Sequence, residues 1–210
     1  LCPECREKIM PVQEPVCNVC GLPQMLPGIC DRCQESMPAY HHLRAWAVFE
    51  GPIRQVLHRL KYRRNLSLGD TLAQTMAQDV RKLNWPIDIV VPIPLSDKRR
   101  KERGYNQVAL VAMPLADSLK WLYKPQALKR VRETRSQVGL SLEERRVNVT
   151  NAFQADAGLV RDKSVLLMDD VATTGATLSA AASALSVAGA KKVYALTLAR
   201  ALPHHSLHMV

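Results

Sequence analysis

The segment from Val165 to Thr177, VLLMDDVATTGAT, constrains the fold more than any other stretch of this 210-residue chain. Val165 to Met168 is apolar without alternation, as in a short strand buried on both faces inside a parallel sheet. Two adjacent carboxylates follow, then a turn of small and hydroxylated residues with one glycine, then the alanine-rich pattern of a helix. Strand, turn and helix in this order predict an α/β fold, a mainly parallel sheet flanked by helices.

Ligands of open α/β sheets bind outside the C-terminal ends of the strands. Asp169 and Asp170 are therefore expected at the mouth of a crevice, where carboxylates can accept hydrogen bonds from two ribose hydroxyls and help to hold a divalent cation. Ala172, Thr173, Thr174, Gly175, Ala176 and Thr177 wrap into the helix start. Such a turn offers backbone N–H groups, the positive end of a helix dipole and threonine hydroxyls to one phosphate. A helix cap alone would need one acid, not two with three threonines and a glycine. The pattern suits a phosphorylated ribose, and the string resembles the PRPP-binding signature of type I phosphoribosyltransferases. That resemblance implies that Asp169 and Asp170 contact the ribose and that residues 172–177 hold the 5′-phosphate. Ala172 stands where a branched aliphatic residue is commoner.

A second constraint lies at the other end. Six cysteines form three C-x-x-C pairs, Cys2/Cys5, Cys17/Cys20 and Cys30/Cys33, and none occurs after position 33. Two-residue spacing lets both thiolates of a knuckle face one ion, and two knuckles complete a tetrahedral zinc site. A segment with prolines at 3, 11, 15, 23 and 27 and few large apolar residues needs such a staple to fold. Cys17, Cys20, Cys30 and Cys33 are the favoured set, with Gly21 suiting the knuckle turn; Cys2, Cys5, Cys17 and Cys20 are the alternative. Cys2 and Cys5 otherwise lack partners, and the chain opens on Leu1, so a missing upstream pair is expected.

Charge and length fit an intracellular ligand-binding protein. With 29 Lys and Arg against 19 Asp and Glu the net charge is +10, which suits polyanionic partners such as nucleic acid or a pyrophosphorylated sugar. No run approaches the roughly 18 apolar residues of a membrane span and no leader pattern opens the chain. A cytoplasmic protein without membrane insertion is expected, divided into a ribbon over 1–40 and an α/β domain over 41–210.

Within that second part, Arg44 to Glu50 reads as a strand, Pro52 to Tyr62 as a helix begun by proline, and Leu66 to Leu83 as another. The polar face of the first helix would carry Arg54, His58, Arg59, Lys61, Arg63 and Arg64. Ile87 to Pro94 reads as a buried strand ending in a loop that Pro92 and Pro94 stiffen. Lys98, Arg99, Arg100, Lys101 and Arg103 come next, a run able to neutralise a pyrophosphate or a nucleic-acid backbone. Gly104 to Gln107 leads into a helix to about Trp121. Leu128 to Phe153, with six cations, reads as a mobile arm able to close over a reacting centre. Trp46, Tyr62 and Tyr105 lie beside basic residues and could stack on bases. His204, His205 and His208 decorate the end of the chain and are given no metal role.

Taken together, the chain resembles the ComF family (competence protein F, including GntX-like members), which is linked to bacterial DNA uptake and use of DNA. The resemblance is carried by Cys20-Gly21-Leu22-Pro23, Leu60-Lys61-Tyr62, Val91-Pro92-Ile93-Pro94-Leu95, Arg103-Gly104-Tyr105-Asn106-Gln107, the series Thr134, Gln137, Arg145, Asn148 and Phe153, and the 165–177 string. It implies a double zinc ribbon with one more N-terminal cysteine pair, joined to a phosphoribosyltransferase fold. It also implies PRPP with Mg²⁺ as ligand, bound by Asp169, Asp170, residues 172–177 and the loop Pro92, Ile93 and Pro94. In a transferase Arg99, Arg100 and Arg103 would face the departing pyrophosphate. The other expectation is a non-catalytic sensor of PRPP or a nucleotide that holds single-stranded DNA or a DNA-uptake partner protein.

Overall fold

A computed structural model describes residues 3–132 and 152–202. The chain passes through α1 (Pro3–Glu7), α2 (Asp31–Glu35), β1 (His42–Val48), α3 (Pro52–Tyr62), α4 (Leu66–Lys82), β2 (Ile89–Pro92), α5 (Asp97–Arg103) and α6 (Ala109–Leu119). It continues with β3 (Leu122–Tyr123), a 3₁₀ turn (Pro125–Ala127), β4 (Leu128–Arg130), β5 (Phe153–Ala155), α7 (Ala157–Val160), β6 (Ser164–Ala172), α8 (Ala176–Val187) and β7 (Lys192–Arg200). Five strands lie in the order β1-β7-β6-β2-β3, every pair parallel.

The two-residue period of a strand sorts the core into two layers. Ile89, Val91, Val165, Leu167, Val193 and Ala195 face Leu178, Ala181, Ala182 and Leu185 of α8, together with Cys17, Cys20 and Cys33. Their alternates Val90, Leu166, Met168, Tyr194 and Leu196 face Leu57 and Leu60 of α3, Leu72 and Met76 of α4 and Val111 and Leu115 of α6. Burying each such aliphatic side chain contributes roughly 1.5–3 kcal/mol. Both faces of the sheet are covered, as parallel sheets require.

Helix boundaries follow local signals. Pro52 opens α3, and Asn65 caps α4 by accepting the Leu68 N–H at 2.9 Å. The basic run, expected to trail from a strand end, is itself the helix α5: Ser96 Oγ accepts the Arg99 N–H at 3.3 Å, and Gly104 in the left-handed region stops it. Arg100, Lys101 and Arg103 fall in its last turn, where they complement the helix dipole. Strand β6 runs four residues beyond the expected Met168, through both acids to Ala172, because β7 keeps pairing with it as far as Ala172↔Arg200. The arm expected from Leu128 to Phe153 begins and ends in the antiparallel pair β4 and β5. Its central part, 133–151, lies outside the described residues, as do Cys2, His204, His205 and His208.

The N-terminal segment lies along the outer edge of β1. The Leu43 N–H donates to Val19 O at 2.7 Å, the Val48 N–H donates to Met10 O at 2.8 Å, and Pro11 bridges Ala47. Gly21 packs so closely on β1 that a Cβ there would collide with the Leu43 carbonyl. No helix among the described residues is long and apolar enough to cross a membrane.

Candidate functional site

Adjacent acids on one strand point to opposite faces of the sheet. Asp170 falls on the face covered by α3 and α6, where Lys61 Nζ lies 3.4 Å and Gln107 Nε2 3.0 Å from its Oδ2. Its Oδ1 accepts the Val171 N–H at 2.8 Å. Burial would raise its pKa, but Lys61, Gln107 and that N–H outweigh it and hold Asp170 below its ordinary value. Asp169, half-buried, has Oδ1 on the Asp170 N–H at 2.8 Å. Desolvation, and then the charge of Asp170, push it up to about 8. One carboxylate is thus locked and ionised while its neighbour is poised.

Lys61 corrects the reading of α3. Expected on the polar face, it is buried, because it stands four residues after Leu57 and shares the inward stripe. That i,i+4 relation was the available signal. The 103–107 segment is also resolved residue by residue. Arg103 Nη1 donates to Gln107 Oε1 at 2.8 Å and its guanidinium lies 5.8 Å over the Tyr62 ring. Tyr105 Oη donates to Leu60 O at 2.8 Å, and Asn106 Nδ2 donates to Ile93 O at 2.9 Å. Asn106 thereby fixes the 92–94 loop, whose Ile93 N–H also donates to Met168 O at 2.8 Å.

The structure therefore gathers Asp169, Asp170, the 92–94 loop and, through Gln107, Arg103. It does not bring Arg99 and Arg100 to that group: both are exposed on α5, Arg100 paired with Asp97 at 2.8 Å. Of the three aromatic platforms, Tyr62 is exposed, beside His58 at 4.6 Å, whereas Tyr105 is tied down and Trp46 Nε1 donates to Asp79 at 3.3 Å. A cleft of about 820 Å³ along α3 is lined by Phe49, Arg54, His58, Arg59, Lys61 and Tyr62.

After β6, residues 173–175 turn into α8. Gly175 has φ +79°, and a Cβ on it would lie 2.7 Å from the Tyr40 hydroxyl, so both conformation and space demand glycine. Thr174 Oγ1 accepts the Ala176 N–H at 3.2 Å, and its carbonyl accepts Arg32 Nη2 at 2.7 Å. Ala172 is buried with its carbonyl on the Ala201 N–H at 3.0 Å.

Cys17, Cys20, Cys30 and Cys33 place their sulfurs within 4.8 Å of one another. The favoured set is thus assembled, while Cys5 lies outside that cluster. Burial would raise Cys17, but backbone N–H groups, including those of Cys30 and Cys20 at 3.4 and 3.5 Å, bring it to about 6. Burial first, and the neighbouring thiols after it, push Cys33 up; burial also raises Cys20, against the Leu22 backbone N–H and the Arg200 charge, which lower it. Arg200, fully buried, has no hydrogen-bond partner for any of its three nitrogens among the described residues, and Cys20, Tyr40 and Cys33 support its charge. Four sulfurs in reach of one ion, backbone donors on sulfur and a buried guanidinium awaiting negative charge fit a structural zinc tetrathiolate.

A family model described as the phosphoribosyl transferase domain matches residues 64–206. The chain is 34% identical over 193 residues to the DNA utilization protein YhgH of Salmonella typhi, covering 89% of this chain and 85% of that protein. It is 31% identical over 213 residues to competence protein F of Haemophilus influenzae, covering 96% and 90%. This chain belongs to the ComF family of phosphoribosyl transferase domain proteins. Competence protein ComFC of Bacillus subtilis is a more distant ComF relative, 26% identical over 209 residues, with 95% of this chain and 84% of that one covered. The five parallel strands flanked by helices are the ComF chain's phosphoribosyltransferase fold, and the cysteine cluster is consistent with a small zinc-ribbon unit.

Proposed function

We propose that the C-terminal ends of β2 and β6 bind PRPP with Mg²⁺ and that the protein acts as a phosphoribosyltransferase in the uptake or use of DNA. One observation carries this reading: Asp170 is clamped between Lys61 and Gln107 three positions before the 173–175 turn that opens α8, so an ordered acid pair and a glycine turn into a helix share one strand end. Asp169 and Asp170 orient the ribose hydroxyls, and residues 172–177, Thr173, Thr174 and Thr177 foremost, hold the 5′-phosphate. Pro92, Ile93 and Pro94 border the pyrophosphate, with Arg103, held by Gln107, on its side; Arg99 and Arg100, exposed on α5, would have to swing in to reach it. A nucleophile then attacks C1, and the C1–O bond breaks with its electron pair leaving on pyrophosphate. The hard carboxylate oxygens suit Mg²⁺, which when bound spreads the charge of that leaving group.

We read residues 1–40 as a ribbon holding zinc on Cys17, Cys20, Cys30 and Cys33, and 41–210 as the transferase domain. Clustered metal-binding thiols belong in the reducing cytoplasm. Cys2 and Cys5 serve a further knuckle in this reading. Calorimetry with Mg²⁺ and PRPP, followed by pyrophosphate release across a panel of bases and amines, tests it. Failure to bind PRPP at any Mg²⁺ concentration overturns it.

A second reading is favoured by the cleft along α3, where Arg54, His58 and Arg59 stand beside Phe49 and exposed Tyr62. Cations that follow a backbone and rings that stack bases are what single-stranded DNA needs. The protein would then sense PRPP or a nucleotide while holding single-stranded DNA or a DNA-handling partner. Tight PRPP binding with no pyrophosphate release, together with salt-dependent single-strand affinity, selects this reading.

A further inference from the structure

Three contacts join the N-terminal segment to the turn after β6 and the first turn of α8. Arg32 Nη2 donates to the Thr174 carbonyl at 2.7 Å, the Ala39 N–H donates to Ser179 Oγ at 3.0 Å, and the Tyr40 hydroxyl fills the space beside Gly175. Arg32 lies on α2 between Cys30 and Cys33. Its position is therefore set by the knuckle that those two cysteines make.

The geometry points to Arg32 as a positioning residue of the phosphate loop, which makes the ribbon a part of the ligand site. The Thr174 carbonyl and the Gly175 N–H belong to one peptide unit. In a planar trans peptide these two groups point in opposite directions. By holding the carbonyl on its own side, Arg32 turns the Gly175 N–H to the other, and the Ala176 N–H on Thr174 Oγ1 fixes the next unit. Gly175, with φ +79°, could otherwise rotate its peptides at little cost. An N–H already aimed at an anion spares the ligand the ordering penalty, and a guanidinium within one residue of it adds favourable charge. Tyr40 limits the same loop from the side, so the chain before β1 determines the shape of a site that the transferase domain carries.

This inference rests on the PRPP reading, and its test separates the two. The full chain with zinc bound is compared with Arg32→Ala and Arg32→Lys for zinc content, Mg²⁺–PRPP affinity and amide hydrogen exchange over 173–177 in the free protein. Arg32→Ala is expected to keep its zinc, to exchange faster at Gly175 and to bind PRPP about tenfold more weakly, the loss of one charge-assisted hydrogen bond. Arg32→Lys, which still reaches a carbonyl with a cation, is expected to recover part of both. Unchanged exchange and unchanged affinity in zinc-loaded Arg32→Ala overturn the inference while leaving the PRPP reading in place. A wild-type chain that binds no PRPP defeats that reading, and exchange at Gly175 then decides whether Arg32 orients the loop. Should Arg32→Ala fail to fold, Arg32→Gln replaces it, with the same outcomes.

Discussion

Lys61 Nζ and Asp170 Oδ2 stand 3.4 Å apart, both side chains nearly buried, and so tie α3 to the end of β6. Removing one partner of such a pair leaves an uncompensated charge. Lys61→Met should destabilise the protein by about 3 kcal/mol, read from urea melts at pH 7. Combining it with Asp170→Asn should recover part of that loss, and strict additivity of the two losses would show that the pair is not coupled.

Asp169 supplies a pH dependence. Its carboxyl is raised from 3.8 to about 8 in the folded state, so ionisation is less favourable folded than unfolded. The associated cost is absent below the unfolded value and grows as pH rises from about 4 to about 8. Asp169→Asn cannot ionise. Its stability advantage over the wild type should therefore widen between pH 5 and pH 8, and an advantage independent of pH would contradict the assignment.

Gly175→Ala places a methyl 2.7 Å from the Tyr40 hydroxyl at a φ of +79°. Backbone strain alone costs roughly 1–2 kcal/mol, and crowding adds to it. Adding Tyr40→Phe should return the crowding part and leave the strain. Equal melting temperatures for Gly175→Ala and the wild type would mean that the loop is freer than it looks.

The cysteine cluster and Arg200 make a linked prediction. A zinc tetrathiolate carries net negative charge, and the fully buried Arg200 guanidinium lies among groups that include Cys20 and Cys33. Chelation should lower the melting temperature by several degrees. Arg200→Met should narrow that gap, since it removes both the compensation when metal is bound and the buried cation when it is not. An unchanged gap would place the metal's charge elsewhere.

Local signals marked much of this fold. Pro52 and the Ile53, Val56, Leu57, Leu60 stripe delimit α3, and Asn65 caps α4 as its composition suggests. The interior strand β7 was not anticipated, although KVYALTLAR carries a buried run; it pairs with the preceding strand β6 on one side and with β1, remote in sequence, on the other. Short elements such as β3, β4 and β5 escape because they exist only through pairing. At the site, the acids and the turn were legible from residue type. What holds Asp170 was not, since Lys61 approaches from α3 and Gln107 from the turn before α6, and their contacts depend on tertiary packing. Arg32 reaching Thr174 across 142 positions is the extreme case.

The strip of chain along β1 has one more consequence. Val19 and Met10 accept the N–H groups of Leu43 and Val48, and Pro11 bridges Ala47, on the side of β1 that β7 does not use. Without them the sheet would end in a seven-residue strand with unsatisfied donors, a template on which a second chain can add its own strand. At the far edge β3 is only two residues long and offers little to pair with. Loss of metal should therefore show itself as self-association through β1 before it shows as unfolding, and a monomer that survives chelation would have to keep its N-terminal strip in place by packing alone.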